Sequence, residues 1–271
     1  MMKAIWLSLV RLLVLLVLSA LALQIFFVAR VALMRVVDPQ STTFQRSEIW
    51  RIVGARHALP WSQQWVGYER ISTNLKRAVI ASEDAGFSEH SGVEWDALEK
   101  AWERNQKAEA RVERINEKID QRDRRASSPK ASAAAGPSAT GRARPRAEAK
   151  VVGGSTITQQ LAKNLFLDGE RSLLRKAQEF VITFALEALL PKPRILEVYL
   201  NNVEWGEGVF GAEAAAHHYF HLAASGLGPS QAARLAVMLP APKRFEKRPA
   251  SPYVTGRAAT VAARMGGVEV P

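Results

Sequence analysis

Two short runs concentrate the chemistry of this 271-residue chain. The first reads Glu83-Asp84-x-x-Phe87-x-x-His90-x-Gly92, the second, Gly153 to Gln160, reads GGSTITQQ, and Lys163, Arg171, Arg175 and Glu179 follow. A positioned carboxylate can take a proton from a weakly acidic hydroxyl, and it does so best with its pKa raised toward ambient pH. Glu83 is expected at a helix C-terminus, where the negative end of the macrodipole disfavours the charged form. In the second run, paired glycines permit close backbone approach. Ser155, Thr156, Gln159 and Gln160 are neutral groups suited to sugar hydroxyls and phosphate oxygens, though the same residues also make turns and helix caps. Arg171, Arg175 and Glu179 are spaced i, i+4, i+8 and share one helix face; a solvated Arg175–Glu179 ion pair is the plain reading of that spacing.

The elements that must hold these groups are helical. From Ile71 the apolar period of Leu75, Ala78, Val79 and Ser82 predicts a helix capped by Ser72 or Thr73 and ended by Gly86. In the stretch from Arg171, Phe180, Val181, Phe184 and Leu189 form an apolar stripe, Pro191 and Pro193 end the helix, and another helix is expected over Arg194 to Leu200. Almost no alternating pattern occurs, so the fold class is mainly α.

Before these lies Leu12 to Ala29, an uncharged run spanning roughly 27 Å as a helix, the length of a membrane crossing. Residues 1–37 are expected to form a short N-terminus and anchor, with the N-terminus weakly favoured on the cytoplasmic side by its cations. A cleaved signal peptide ending near Ala22 is the alternative, against which the apolar run continues. Trp50, Trp61 and Trp65 suit a membrane interface or ordinary packing. The absence of cysteine excludes disulfide staples and thiolate metal sites.

Residues 38–271 read as one domain broken by an insertion at about 104–150. Within 103–150 stand 13 Lys/Arg against 7 Asp/Glu, so this piece holds much of the +11 formal charge. It reads as a solvated helix followed by a disordered tether. No nucleic-acid signature accompanies the charge, which suits anionic lipid and an anionic substrate better. Three further patterns fail on context. Gly206-x-Gly208-x-x-Gly211 lacks the preceding strand of a dinucleotide loop, Ser127-x-x-Lys130 lies in the tether, and Glu213, His217 and His221 lack the spacing of a metalloprotease helix and more often cap and pack.

The ordered segments EDAGFSEHSG, GGSTITQQLAKNLFL, RSLLRKAQEF and ILEVYLNNVEWGEGVFGAEAAAHHYF resemble family 51 glycosyltransferases, and within them the monofunctional biosynthetic peptidoglycan transglycosylases. The resemblance implies a lysozyme-like glycosyltransferase domain on a single transmembrane helix. It further implies polymerisation of lipid II with inversion, Glu83 deprotonating the GlcNAc 4-hydroxyl and Glu179 acting as a second carboxylate at the leaving group or at a bound ion. The substrate-binding positions it implies are Asp84, Phe87, His90, Lys100, Ser155, Thr156, Gln159, Gln160, Lys163, Arg171, Arg175, Lys176, Tyr199 and Asn201. Lys100 stands where many relatives have Arg, so the charge persists without the bidentate fork. No prosthetic group is implied; a divalent cation such as Mg2+ at Glu179 is the one candidate cofactor. The implied partners are lipid II, the growing lipid-linked strand, the membrane and other cell-wall synthesis proteins, with no nucleic acid. The implied location is the bacterial inner membrane, single-pass, with the catalytic domain on the periplasmic side. Two rivals stay open on the residues: a lytic glycosidase of the related fold, and a membrane scaffold with a degenerate site.

Overall fold

The computed structural model describes residues 2–126, 154–167 and 172–271. It divides into two compact units, Met1–Val93 with Ser155–Pro271, and Glu94–Gly154.

The first unit is almost wholly helical. Helix α1 runs Met2–Leu33 without a break, well beyond the Leu12 to Ala29 expectation, and Ile5–Leu33 is long and apolar enough to cross a membrane. Most of its side chains are exposed, but its C-terminal end is seated on the unit: Val31 is buried, Phe27 meets Phe166 edge-on at 5.3 Å, and Gln24 and Gln178 exchange hydrogen bonds. Helix α2, Thr43–Arg56, opens with a capping box between Thr42 and Gln45. Of the three tryptophans near it, Trp61 stacks on Phe210 and Trp65 lies under the Arg194 guanidinium, whereas Trp50 is exposed.

Helix α3, Thr73–Glu83, starts as the sequence predicts, with the Ser72 hydroxyl accepting from Asn74 N. It stops at Glu83, with Asp84 rather than Gly86 as its C-terminal cap. Leu75, Val79 and Ile80 are fully buried in the core, to which the later helices Pro229–Met238 and Pro252–Arg264 contribute Leu235 and Val261. That burial holds the carboxylate-bearing end of α3 in place.

Helix α4, Trp95–Ala126, belongs to the second unit and starts eight residues ahead of the charged stretch that announced it. Lys100 lies on it, exposed. Gly154, in the same unit, packs so close to α4 that a Cβ there would meet Ala101 Cβ at 2.9 Å, which is the close approach the paired glycines foretold. The tether at 127–150, including Ser127 and Lys130, lies outside the described residues, as do Gly153 and Arg171.

Helix α5, Ile157–Phe166, is capped by Thr156, and α6, Leu173–Leu189, by Ser172. The stripe expected on α6 is corrected: Val181 and Phe184 are 46% and 47% exposed, and Glu179, Ile182, Thr183 and Leu186 face inward instead. Hydrophobicity alone cannot choose between two apolar faces of one helix, and here the inward face carries Glu179. Helix α7, Lys192–Asn202, begins earlier than expected, with Pro193 in its first turn, where a missing N–H costs nothing. A small sheet completes the unit: β1 Ser62–Gln63 pairs in parallel with β3 Val209–Phe210, which pairs antiparallel with β2 Glu204–Gly206. Gly208 has φ +78 and a Cβ there would fall 1.9 Å from Pro60 O, so this glycine serves the β2–β3 turn, while Gly211, at φ +84, caps the helix that follows. The following α8, Ala212–Phe220, ends at His221 in the left-handed region. Glu213 accepts from Ala224 N and pairs with His217, a capping role and not a metal set.

Candidate active site

Glu83 sits at the C-terminal end of α3 with Gln160 against it: Gln160 Nε2 donates to Glu83 Oε2 at 3.0 Å. Tyr199, almost fully buried on α7, donates its hydroxyl to Gln160 Oε1 at 2.8 Å, which fixes the amide so that its N–H faces the carboxylate. Burial is the main cause pushing the Glu83 pKa up, with the neighbouring Asp84 charge adding to it; the Gln160 and Ser82 hydrogen bonds oppose the rise. A half-buried carboxylate at the end of a helix, held by one amide, is suited to general-base work.

Asp84, Phe87 and His90, expected at the substrate, instead build the support beneath Glu83. Asp84 is buried and accepts from Ile157 N at 2.9 Å, the first amide of α5, where the helix favours a negative charge. Its other oxygen lies 2.7 Å from His90 Nε2. His90 Nδ1 accepts from Gly92 N, so the ring proton resides on Nε2 and is donated to Asp84. Phe87 is fully buried under Lys192, whose ammonium lies 4.4 Å from the ring centroid and also donates to His90 O. Asp84 and Phe87 have no side-chain surface left for a ligand, and His90 keeps about a tenth of its own.

The GGSTITQQ run divides its labour in the same way. Thr156 and Gln159 form a reciprocal capping box, Gln159 N to Thr156 Oγ1 at 3.2 Å and Thr156 N to Gln159 Oε1 at 3.1 Å, and Thr156 Oγ1 donates to Gly92 O at 2.6 Å. Thr156 is therefore structural. Ser155, Gln159 and Gln160 nevertheless line a cavity of about 500 Å³ together with Lys163, Asn164, Arg175, Lys176 and Glu179. Asn201 is not among the lining residues: its amide pairs both ways with Val66, N to Oδ1 and Nδ2 to O, each 2.9 Å, and pins the loop before α3.

Glu179 is 4% exposed, so the solvated ion pair read from its spacing is replaced by a buried one. One oxygen accepts from Arg175 Nη1 at 3.1 Å and the other from Lys176 Nζ. Lys163 faces the same group: desolvation lowers its pKa, the Glu179 charge opposes that, and Arg175 and Lys176 add to it. Three cations around one carboxylate leave excess positive charge for an anionic ligand. The same set does not fit a divalent cation, because both Glu179 oxygens are already engaged by cationic donors that a metal would have to displace.

One lining residue had no signal beyond its place in a longer motif. Glu204, on β2, is 6% exposed on the same cavity, and burial pushes its carboxyl up to about 7.

A mainly α, lysozyme-like domain with a half-buried carboxylate beside a cationic cavity defines a glycosyl-transfer enzyme. The chain matches the family described as Transglycosylase over residues 54–113 and 135–266, and it belongs to that family. It is 49% identical to the biosynthetic peptidoglycan transglycosylase of Burkholderia thailandensis over 252 residues, covering 93% of this chain and 83% of the relative. The proteins of the same description from Cupriavidus metallidurans and Bordetella pertussis are 48% and 47% identical, over 94% and 86% of this chain and 95% and 82% of the relatives.

Proposed function

We propose that this chain is an inverting peptidoglycan glycosyltransferase that polymerises lipid II. The observation that carries the reading is that Gln160 both binds Glu83 and lines the cationic cavity, so the base and the anion-binding groups share one wall. Glu83 takes the proton of the acceptor GlcNAc 4-hydroxyl as its oxygen forms a bond to the anomeric carbon of the lipid-linked strand. The bond from that carbon to the pyrophosphate oxygen breaks, and the electron pair leaves on the pyrophosphate. Lys163, Arg175 and Lys176 neutralise the charge that develops there, and Glu179 holds the last two in position. Glu83 then returns its proton to solvent. Attack from the face opposite the leaving group inverts the centre.

The setting proposed is the inner membrane, with α1 as the single anchor and the catalytic unit on the periplasmic side; other cell-wall synthesis proteins would be its neighbours there. Two features support a bilayer seat. Helix α1 leads directly into the unit, and the exposed face of α6 carries Leu173, Leu174, Ala177, Val181 and Phe184, with Leu173 91% exposed. Such an apolar face beside an apolar anchor fits lipid.

The test is turnover of labelled lipid II by the full chain in detergent. Wild type is expected to give polymer, and Glu83→Gln to lose about 100-fold or more of the rate. Shortened strands from preformed glycan would indicate a lytic glycosidase instead, and no turnover by wild type would indicate a scaffold.

A further inference from the structure

The cavity lining also contains a carboxylate with no part in the proposed reaction. Glu204 lies among Phe44, Val203, Leu239, Pro240 and Pro242, an apolar setting in which an acid is costly unless something pairs with it. Its Oε1 is buried with no hydrogen-bond partner. Lys243 Nζ lies 3.3 Å from Glu204 Oε1 as an ion-pair partner and also donates to Glu48 Oε2 at 2.5 Å, and Glu48 accepts in addition from Arg51 Nε at 2.8 Å. Lys243 is thus divided between Glu48 and Glu204, and a single shared ammonium leaves the Glu204 carboxyl with acceptor capacity to spare.

Two other residues of the same cavity carry buried polar atoms without partners, Gln159 Nε2 and Arg175 Nε. Buried polar groups are normally paired, and an unpaired one costs about 1–3 kcal/mol. These are two donors beside the cations, and the Glu204 carboxyl is an acceptor elsewhere in the same lining. A ligand complementary to this set offers acceptor oxygens at one end and an O–H or N–H at the other.

We propose that Glu204 is a specificity-determining residue, accepting a hydrogen bond from a hydroxyl or amide N–H of the saccharide whose phosphates are held by Lys163, Arg175 and Lys176. The assignment rests on the reading of this cavity as the site of a phosphate-linked saccharide. The apolar residues around Glu204 offer the ring a dry surface, and the backbone of β2 gives the carboxyl a fixed origin. Charged and titratable groups reach it from each neighbouring element: Glu48 and Arg51 of α2, Lys243 of the short helix Pro242–Phe245, and Tyr219 of α8. Burial outweighs the cations among them, and the acid is in part uncharged at neutral pH, so it can accept a hydrogen bond without fully repelling the phosphates.

The experiment measures KM and kcat for lipid II, and for analogues each lacking one saccharide hydroxyl or amide N–H, with the full chain as wild type, Glu204→Gln and Glu204→Leu. Wild type is expected to discriminate against one analogue by about ten-fold in KM, the loss of one buried hydrogen bond. Glu204→Leu is expected to raise KM for lipid II by about the same factor and to lose that discrimination, with kcat little changed, while Glu204→Gln, which keeps an acceptor oxygen, retains most of both. Lipid II turnover with wild-type KM in Glu204→Leu, or an equal KM loss for every analogue, overturns the role of Glu204 and leaves the cavity's assignment standing. Failure of wild type to turn over lipid II overturns both.

Discussion

Gln160 holds Glu83 by a single 3.0 Å hydrogen bond, and it can do so because Tyr199 has already occupied its carbonyl oxygen from the other side. The adjacent Gln159 has the same side chain but spends its carbonyl in a helix cap, so one glutamine supports the fold and its neighbour holds the Glu83 carboxylate.

The Gln160 bond favours ionised Glu83 against the burial that disfavours it. The base must be ionised to act, so activity falls as pH drops through the raised Glu83 pKa. Gln160→Leu removes an interaction that lowers that pKa, and the acid limb of kcat/KM is expected to move to higher pH. Tyr199→Phe is expected to move it the same way by less. A pH–rate profile of the three enzymes checks this; an unmoved limb in Gln160→Leu contradicts it.

Asp84 accepts hydrogen bonds from His90 and from the first amide of α5, both in a buried setting. Asp84→Ala is therefore expected to cost about 3 kcal/mol, which for a chain of this size lowers Tm by about 6–12 °C. Thermal melting in detergent measures it, and a shift under about 2 °C would show that the loop from Asp84 to Gly92 is held by other contacts.

Glu179 competes with any anion for Arg175 and Lys176. Glu179→Gln is expected to bind inorganic pyrophosphate about five-fold more tightly, an ion pair of about 1 kcal/mol having been released, while lipid II turnover falls because the two cations lose their fixed positions. Titration calorimetry with pyrophosphate gives the first quantity. Weaker pyrophosphate binding in the variant would mean that Glu179 chiefly orders these cations for the ligand.

Glu204 carries a pH-dependent stability term. Its folded pKa of about 7 lies above the ordinary 4.5, so the folded state favours the protonated acid. The stability this contributes is fully present below pH 4.5 and is lost as pH rises through about 7. Relative to wild type, Glu204→Gln is expected to gain up to about 3 kcal/mol between pH 4.5 and 8. Denaturant unfolding at several pH values reads the difference, and a constant gap across that range would place the Glu204 pKa near 4.5.

Local physics made much of this protein legible in its sequence. An uncharged run announces α1, Ser72 announces α3, and Glu83 falls at a helix end because its apolar period stops there. The ordering of four polar motifs identifies the family, and the site lies where they converge. What local pattern could not supply is direction. Val181 and Phe184 are as apolar as Ile182 and Leu186, yet the former pair is exposed and the latter buried, because packing and not composition chooses the face of α6. Asp84, Phe87, His90 and Asn201 belong to motifs that carry the chemistry, but the contacts that turn them into supports come from α5, α7 and the loop before α3, far away in the chain. Glu204 shares the cavity with Lys163, Arg175 and Lys176 only because β2 is packed beside residues of α5 and α6 that are distant in the chain. Residue type and local period determined which groups this chain possesses and on which elements; long-range packing, by burying some and leaving others at a cavity, decided which of them meet a substrate.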